Sequence, residues 1–302
     1  MTHINNTPVG GAVKFGVLTI LFALLVLAPS AALGAAPADT ENCIALARVN
    51  DAGPFAFVLD TGSSGTTLDD RRIKQLALEP DGPSEEGQGM GGAIDVRLFR
   101  LRTFAAGPLA LHDLVVPGIP APSLASHDIA GLAGVDIFGA HLATWRWDRA
   151  CVFLTASGSQ PVGQGWRPVR SRWLKPWKIL LPVRIGKASG WGLLDTGAQK
   201  SILSPGFARA AGLGGSIAGA DTITGVEGRE TRFIVHDLRN ATFGAWQYRN
   251  VKIGVAALPL FDRLGGMDEP LAVIGMDWIA DRPFGIDYGS QSVWQKVRAP
   301  GR

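Results

Sequence analysis

The chain has 302 residues, of which 46% are hydrophobic and 18% are charged, a composition that suits a well-buried core folding without a partner. The net charge of +3 is small and the basic residues are scattered, which argues against nucleic acid or an anionic membrane as partner. Thirty-nine glycines and nineteen prolines, with few stretches of helical period, favour short strands joined by tight turns. The predicted fold class is therefore mainly β.

The first residues have the order of a secretory signal peptide. A single cation, Lys14, precedes an apolar run at 15–28, and Pro29 and several small residues follow. We predict that residues 1–34 are a signal peptide cleaved after Gly34, and that the protein is exported, either to the periplasm or as a secreted protein. If the segment were retained, it would anchor the protein to the inner membrane, although its apolar run is shorter than the roughly 20 residues that a spanning helix needs.

The chain has two cysteines, Cys43 and Cys151. An exported chain meets an oxidising compartment, so a disulfide between them is the natural hypothesis. Two buried free thiols are the alternative, because sequence alone does not show that the two positions are close.

Two segments of the chain repeat each other. F-A-F-V-L-D-T-G-S-S at 55–64 and W-G-L-L-D-T-G-A-Q at 191–199 place Asp60 and Asp195 135 residues apart (195 − 60). Each Asp-Thr-Gly triplet is followed far downstream by a short apolar run ending in Gly-x-Asp, which closes on Asp136 in the first copy and Asp277 in the second. The common order of these landmarks indicates an internal pseudo-dimer, and hence a monomeric protein.

The repeat also suggests the domain boundaries. The N-terminal lobe is expected at 35–155, the connection between lobes at 156–177 and the C-terminal lobe at 178–302. The connection is rich in Gly, Ser, Pro and Trp and contains none of the repeated landmarks.

A short helix is predicted after each triplet. Asp69 is placed to cap the first helix, which is expected to run through Leu78. In the second copy Ser204 is a suitable N-cap, Pro205 fits the first turn, and Gly212 marks the end. We further expect the two aspartates that close the downstream runs to cap the helices that follow them, rather than to catalyse.

The two triplets can supply paired carboxylates. If the copies pack about a pseudo-two-fold axis, Asp60 and Asp195 meet across it, and two such close acids share one proton. The ionised acid can then take a proton from water while the protonated acid polarises the carbonyl that the water attacks. This chemistry needs no metal and no organic cofactor, and the five histidines show no metal-binding spacing.

With these motifs the chain resembles the pepsin and retropepsin superfamily of aspartic peptidases over nearly all of its length after the export segment. The resemblance implies a bilobal acid-protease fold, with two pseudo-symmetric β-barrel-like lobes and the active site between them. It implies an aspartic endopeptidase acting on a polypeptide substrate, with each threonine of the triplets hydrogen-bonded to the opposite loop. The residues expected to support the catalytic loops are Thr61, Gly62, Ser63, Thr196, Gly197 and Ala198.

The chain lacks a tyrosine where pepsin-like enzymes carry one in a single flap. Instead each copy has a Gly-rich hairpin candidate, at 87–92 and at 225–228, which resembles two fused bacterial retropepsin-like units. The glycines of the first hairpin also match a G-x-G-x-x-G nucleotide fingerprint, but the required strand before and helix after are missing. The candidate residues of the substrate-binding flaps are Gly89, Met90, Gly91, Gly225 and Val226.

The two triplets differ in the residue that follows, Ser63 in the first and Ala198 in the second. A hydroxyl can donate to an ionised carboxylate, so we expect Asp60 to hold the charge and Asp195 the proton. Two other functions remain open: a peptide-binding protein without turnover on the same scaffold, and a hydrolase that uses the acid pair on a non-peptide substrate such as an ester.

Overall fold

Strands dominate the computed structural model, which describes residues 31–34, 42–121, 128–139, 141–147, 151–175, 177–214 and 217–297. The prediction of a mainly β fold is confirmed. The strands of the first half are β1 (Ala31–Gly34), β2 (Ile44–Val49), β3 (Ala52–Leu59), β4 (Leu68–Asp69), β5 (Glu85–Gly89), β6 (Gly92–Val96), β7 (Leu98–Ala106), β8 (Leu109–Ile119), β9 (Ile129–Ala133), β10 (His141–Trp145) and β11 (Val152–Ala156).

Eleven more strands follow in the described part of the second half. They are β12 (Trp166–Val169), β13 (Arg172–Leu174), β14 (Lys178–Ile185), β15 (Ala188–Leu194), β16 (Ile202–Leu203), β17 (Ile217–Thr224), β18 (Glu230–Phe243), β19 (Trp246–Val255), β20 (Leu271–Ile274), β21 (Phe284–Asp287) and β22 (Ser292–Lys296). The helices are α1 (Asp70–Gln75), a 3-10 helix (Val135–Phe138), α2 (Pro205–Ala210), α3 (Leu260–Leu264) and α4 (Met276–Ile279). Within the described ranges none of these helices has the length and apolar character to cross a bilayer.

A six-stranded sheet in the order β4-β8-β7-β2-β3-β9 forms the N-terminal lobe. Along β2, Leu46 and Arg48 face solvent while the other residues are buried, because successive side chains of a strand point to opposite faces. Strands β3 and β9 run parallel, with Leu59 beside Ala133. Asp60 therefore stands at the C-terminal end of an inner strand whose last three residues are buried.

The C-terminal lobe repeats this arrangement in an eight-stranded sheet with the order β13-β14-β15-β20-β16-β19-β18-β17. Strands β15 and β20 are parallel, with Leu194 beside Ile274, just as β3 and β9 are in the first lobe. Asp195 thus occupies the position in the second lobe that Asp60 occupies in the first. The two barrel-like sheets give the predicted bilobal aspartic protease fold.

A third sheet joins the two halves of the chain, in the order β1-β11-β10-β21-β22-β12. Strand β10 of the first half pairs with β21 of the second, and Trp145 stacks on Phe284 with ring centroids 4.9 Å apart. Strand β12, from the expected connection, forms one edge, and β1 forms the other. The predicted apolar export segment lies outside the described residues, whereas a cut after Gly34 would remove β1 with its buried Leu33.

The predicted disulfide between Cys43 and Cys151 is confirmed, and the alternative of free thiols is wrong. The two Cα atoms lie 5.7 Å apart, although 108 residues separate the cysteines in sequence. Cys43 directly precedes β2 and Cys151 directly precedes β11, so the bond links the N-terminal lobe to the sheet that joins the halves.

Both predicted helix caps are confirmed. The Asp69 side chain accepts a hydrogen bond from the Arg71 N–H, and the Ser204 hydroxyl accepts one from the Phe207 N–H. The first helix nevertheless ends at Gln75 rather than at Leu78. Its chain turns away because Ala77 adopts a left-handed φ of 48°, a conformation that does not continue a helix.

Candidate active site

Asp60 and Asp195 are delivered by equivalent backbone arrangements. The Asp60 N–H donates to the Ala133 carbonyl at 2.9 Å, and the Asp195 N–H donates to the Ile274 carbonyl at 3.1 Å. Each aspartate is thereby tied to the strand that carries the downstream apolar run of its own copy. The two parts of each repeated motif are therefore direct neighbours in the fold.

The glycine after each downstream run is required by close backbone packing. A Cβ at Gly134 would lie 2.4 Å from the carbonyl carbon of Gly65, and one at Gly275 would lie 2.5 Å from the Ala198 carbonyl oxygen. Real Cβ contacts are not this short, so a larger residue at either position would push the catalytic turn away from its strand. This explains why glycine follows the apolar run in both copies.

The two aspartate side chains meet between the lobes. Both carboxyl groups are buried, with Asp60 7% and Asp195 9% exposed, and each influences the pKa of the other. A Cβ at Gly62 would lie 2.4 Å from Asp195 Cγ, and one at Gly197 would lie 2.4 Å from Asp60 Cγ. Each glycine thus leaves the space that the opposite carboxylate fills, and we refer to Asp60 and Asp195 as the dyad.

Backbone amides hold one oxygen of each carboxylate. The N–H groups of Gly62 and Ser63 donate to Asp60 Oδ1 at 2.7 and 3.1 Å. The corresponding two amides of the second turn donate to Asp195 Oδ1, both at 3.0 Å. These donors fix both side chains in the orientation that brings the carboxyl groups together.

The predicted donation from the Ser63 hydroxyl to Asp60 is wrong. That hydroxyl donates instead to the Gly65 carbonyl at 2.7 Å, inside its own turn. Only the backbone N–H of Ser63 reaches Asp60, and the second turn supplies an equivalent amide from Ala198. The residue after each triplet therefore does not distinguish the two carboxylates.

The environment still distinguishes the two acids. Burial, followed by the negative charge of Asp60, raises the pKa of Asp195 from 3.8 to about 7. Burial also raises the pKa of Asp60, but the positive charge of Lys178, the turn amides and the hydrogen bond with Asp195 oppose this rise. Burial and the charge of Asp60 thus favour the protonated form of Asp195, while the charge of Lys178 favours the ionised form of Asp60. This is the assignment expected from the sequence, but its physical cause is not the Ser63 hydroxyl.

Each threonine of the triplets reaches across to the opposite lobe, as the resemblance implies. The Thr61 hydroxyl donates to the Leu194 carbonyl at 2.8 Å, and the Thr196 hydroxyl donates to the Leu59 carbonyl at 2.7 Å. Both threonines are fully buried. The two catalytic turns are thus held together by side chains that belong to the turns themselves.

The downstream aspartates do not cap helices, so that expectation is wrong. Asp136 lies within the 3-10 helix and Asp277 within α4, and neither helix has a side-chain cap. Asp136 accepts hydrogen bonds from the Thr66 N–H and hydroxyl at 2.9 and 2.8 Å, and Asp277 accepts one from the Ser201 hydroxyl at 2.6 Å. Gly134 and Gly275 occupy the N-cap positions, so each aspartate lies inside the first turn of its helix and not before it.

The predicted flap residues form the tips of two hairpins. Gly89, Met90 and Gly91 lie at the turn between β5 and β6, and Gly225 and Val226 lie at the turn between β17 and β18. Met90 packs on an apolar cluster of the C-terminal lobe that includes Ala198. Val226 packs on apolar residues of the N-terminal lobe. Each tip therefore extends from its own lobe onto the opposite one.

The tips also contact each other through polar groups. The Gly91 N–H donates to Glu227 Oε1 at 2.8 Å, and Arg229 Nη1 donates to the Gly91 carbonyl at 2.7 Å. The carbonyl of Val226 accepts a hydrogen bond from the Ala121 N–H at 3.0 Å. Through these contacts the tips of the two hairpins are closed on each other.

Two residues that act on the dyad were not predicted from the sequence. Lys178 Nζ donates to the Gly62 carbonyl, and its charge acts on both aspartates. Tyr288 is buried against Phe138, and burial together with the charge of Asp60 raises the pKa of its hydroxyl well above the usual range. Among the described residues no group of three or more His, Cys, Asp or Glu side chains could hold a metal ion.

Comparison with known families agrees with this geometry. The family model described as aspartyl protease matches residues 45–137 and again residues 181–278, which together make up more than half of the chain. Each matched range contains one Asp-Thr-Gly triplet and one downstream apolar run. A search of curated proteins found no significant match. The chain belongs to the aspartyl protease family and consists of two fused retropepsin-like units.

Proposed function

We propose that the protein is an exported aspartic endopeptidase that uses Asp60 and Asp195 to activate water. One observation carries this proposal: two buried carboxyl groups, one from each lobe, lie against the glycine of the opposite turn and are held by equivalent backbone amides. A like-charge pair in a buried site is costly, and perturbed acids of this kind concentrate at catalytic sites. Membership of the aspartyl protease family supports a protease-type function.

The protonation states of the dyad define a reaction sequence. Ionised Asp60 takes a proton from a water molecule as the water oxygen bonds to the scissile carbonyl carbon, while Asp195 gives its proton to the carbonyl oxygen. The resulting tetrahedral diol collapses when Asp195 takes a proton back from a hydroxyl and Asp60 gives its proton to the leaving nitrogen. The C–N bond breaks, the products are a carboxylic acid and an amine, and no covalent enzyme intermediate forms.

We infer that the substrate is an extended polypeptide. Both flap hairpins are β-structure, and an extended chain bound beside them would be recognised through backbone hydrogen bonds. The apolar clusters under Val226 and Met90 would favour apolar substrate side chains when the tips lift away. We therefore favour an endopeptidase over the ester hydrolase and the binding protein.

Export is part of the proposal. The N-terminal sequence has the order of a secretory signal, and the Cys43–Cys151 disulfide suits an oxidising compartment such as the periplasm. Cleavage after Gly34 remains a prediction. That cleavage would remove β1, an edge strand of the sheet that joins the two halves. Sequencing the N-terminus of the exported protein determines whether Leu33 is kept.

Incubation of the exported protein with a peptide library and a matched ester library tests the function. We expect peptide cleavage at internal bonds, and no cleavage by Asp60→Asn or Asp195→Asn. Asp113→Asn is the matched control, because Asp113 is exposed and its left-handed backbone suits asparagine. Cleavage of esters alone would favour the non-peptide hydrolase, and binding of peptides without any turnover would favour the binding protein.

A further inference from the structure

A lysine from the C-terminal lobe reaches the catalytic turn of the N-terminal lobe. Lys178 is the first residue of β14, and its ammonium group donates to the carbonyl of Gly62, 116 residues away in sequence. Gly62 is the residue whose backbone N–H also donates to Asp60 Oδ1. The lysine therefore contacts the peptide segment that orients one member of the dyad.

This contact breaks the symmetry of the two lobes. Lys178 lies 17 residues before Asp195 (195 − 178), and the residue 17 places before Asp60 (60 − 17) is Cys43. Cys43 is bound in the disulfide and carries no charge. In the reverse direction, the Asn42 side-chain amide donates to the Thr196 carbonyl at 2.9 Å. A cation thus supports the Asp60 turn, while a neutral amide supports the Asp195 turn.

The ionisable groups around Lys178 define its electrostatic effect. Burial lowers the pKa of the Lys178 ammonium, and the carboxylates of Asp60 and Asp195 oppose part of this lowering from the two catalytic turns. Its positive charge is the largest influence that lowers the pKa of each aspartate. Its hydrogen bond to the Gly62 carbonyl places that charge on the Asp60 turn. Burial and the charge of Asp60 raise the pKa of the Tyr288 hydroxyl, which therefore stays neutral.

We propose that Lys178 is a positioning residue that fixes the Gly62 turn and makes Asp60, rather than Asp195, the ionised member of the dyad. The proposal rests on the proposed function in assigning a catalytic meaning to the dyad. Without the cation, the equivalent turn amides would leave two similar acids competing for one proton. With it, Asp60 is fixed as the base and Asp195 as the acid before substrate arrives.

Lys178→Met tests the proposal because methionine keeps an unbranched side chain and removes the charge. The matched control is Lys187→Met, which removes the same charge from an exposed site in the turn between β14 and β15. Lys178→Arg retains the charge and should retain the behaviour of the parent. The primary measurement is the pH titration of the dyad by carbon-13 NMR of Asp-labelled protein, which does not require turnover.

We expect the first ionisation of the dyad in Lys178→Met to move to higher pH by about one unit or more, a tenfold change in its acid constant. The acid limb of kcat/KM against pH should move in the same direction, while Lys187→Met should match the parent. If folded Lys178→Met titrates like the parent, the proposal is wrong. Lys178→Gln gives the same comparison if methionine prevents folding.

The two kinds of failure are distinguishable. A parent protein that never cleaves peptides overturns the proposed function, yet the NMR titration still decides the role of Lys178. A purely structural role would lower the melting temperature of Lys178→Met without moving the titration of the dyad, and that result also overturns the proposal.

Discussion

Thr61 and Thr196 exchange hydrogen bonds across the boundary between the lobes. The Thr61 N–H donates to the Thr196 hydroxyl oxygen at 3.0 Å, and the Thr196 N–H donates to the Thr61 hydroxyl oxygen at the same distance. Each hydroxyl also donates to a carbonyl one residue before the opposite aspartate. The positions of the two catalytic carboxylates therefore depend on four buried hydrogen bonds between the lobes.

Thr61→Val is expected to destabilise the protein strongly. Valine has a similar shape, but it leaves the Thr196 N–H and the Leu194 carbonyl buried without their partner. An unsatisfied buried polar group costs about 1–3 kcal/mol, so the loss of two partners should lower the free energy of unfolding by about 2–6 kcal/mol. Urea denaturation measures this loss. Thr61→Ser keeps the hydroxyl and is the control; an equal loss in both variants would contradict the hydrogen-bond explanation.

Stability should fall as pH rises from about 4 to about 7, and activity should fall as pH rises through about 7. The pKa of Asp195 is raised from 3.8 to about 7 in the folded protein, so the folded state holds the proton more tightly than the unfolded chain. Its contribution to stability is fully present below pH 3.8 and is lost progressively up to about pH 7. Activity declines as the same proton leaves, because Asp195 then cannot protonate the carbonyl oxygen.

Urea denaturation at several pH values measures this dependence. Asp195→Asn removes the titrating group and should flatten the part of the profile between pH 4 and 7. A slope in Asp195→Asn equal to that of the parent would show that another group carries the effect, Asp136 being one whose pKa burial also raises.

Glu227→Ala should loosen the contact between the flaps. The Glu227 carboxylate accepts the Gly91 N–H at 2.8 Å, and hydrogen bonds to charged groups contribute about 1.5–3 kcal/mol. Hydrogen exchange of the Gly91 amide should therefore accelerate at least about tenfold. Glu230→Ala, an exposed change on the same hairpin, is the control. Unchanged exchange at Gly91 would show that the closed arrangement does not depend on this contact.

Loss of the disulfide should destabilise the folded state without changing the dyad. Cys43 and Cys151 close a loop of 108 residues, and removal of a native disulfide costs about 2–5 kcal/mol. The double change to serine should lower the free energy of unfolding by that amount, and the parent treated with reductant should match it. If reductant leaves the unfolding free energy of the parent unchanged, the bond does not stabilise the protein.

The sequence was most informative where one local pattern occurs twice. The two Asp-Thr-Gly triplets, their downstream glycines and the Gly-rich hairpins each have backbone requirements that show in a few adjacent residues. Because the repeats are in the same order, the pairing of Asp60 with Asp195 follows from superposing the copies. The disulfide was predictable for a simpler reason, since an exported chain with two cysteines has one possible intramolecular pair.

Contacts between distant side chains were not predictable in this way. Asp136 was expected to bond to its own helix, but the fold brings it the donors of Thr66, 70 residues away. Lys178 looks like an ordinary residue at the start of a strand. Only its position in the repeat distinguishes it. Lys178 lies as far before Asp195 as Cys43 lies before Asp60, and a comparison of these two positions shows a charged residue in the second copy alone.

A mutant cycle on the dyad tests the central claim most directly. On the best peptide from the library, kcat/KM is compared for the parent, Asp60→Asn, Asp195→Asn and the double variant, with folding checked by circular dichroism. Because the two acids act as one unit, each single change should lower kcat/KM by about 10³-fold or more, and the double change should lower it no further. A single variant that keeps more than about a tenth of the parent activity, or losses that multiply in the double variant, would contradict the shared-proton dyad.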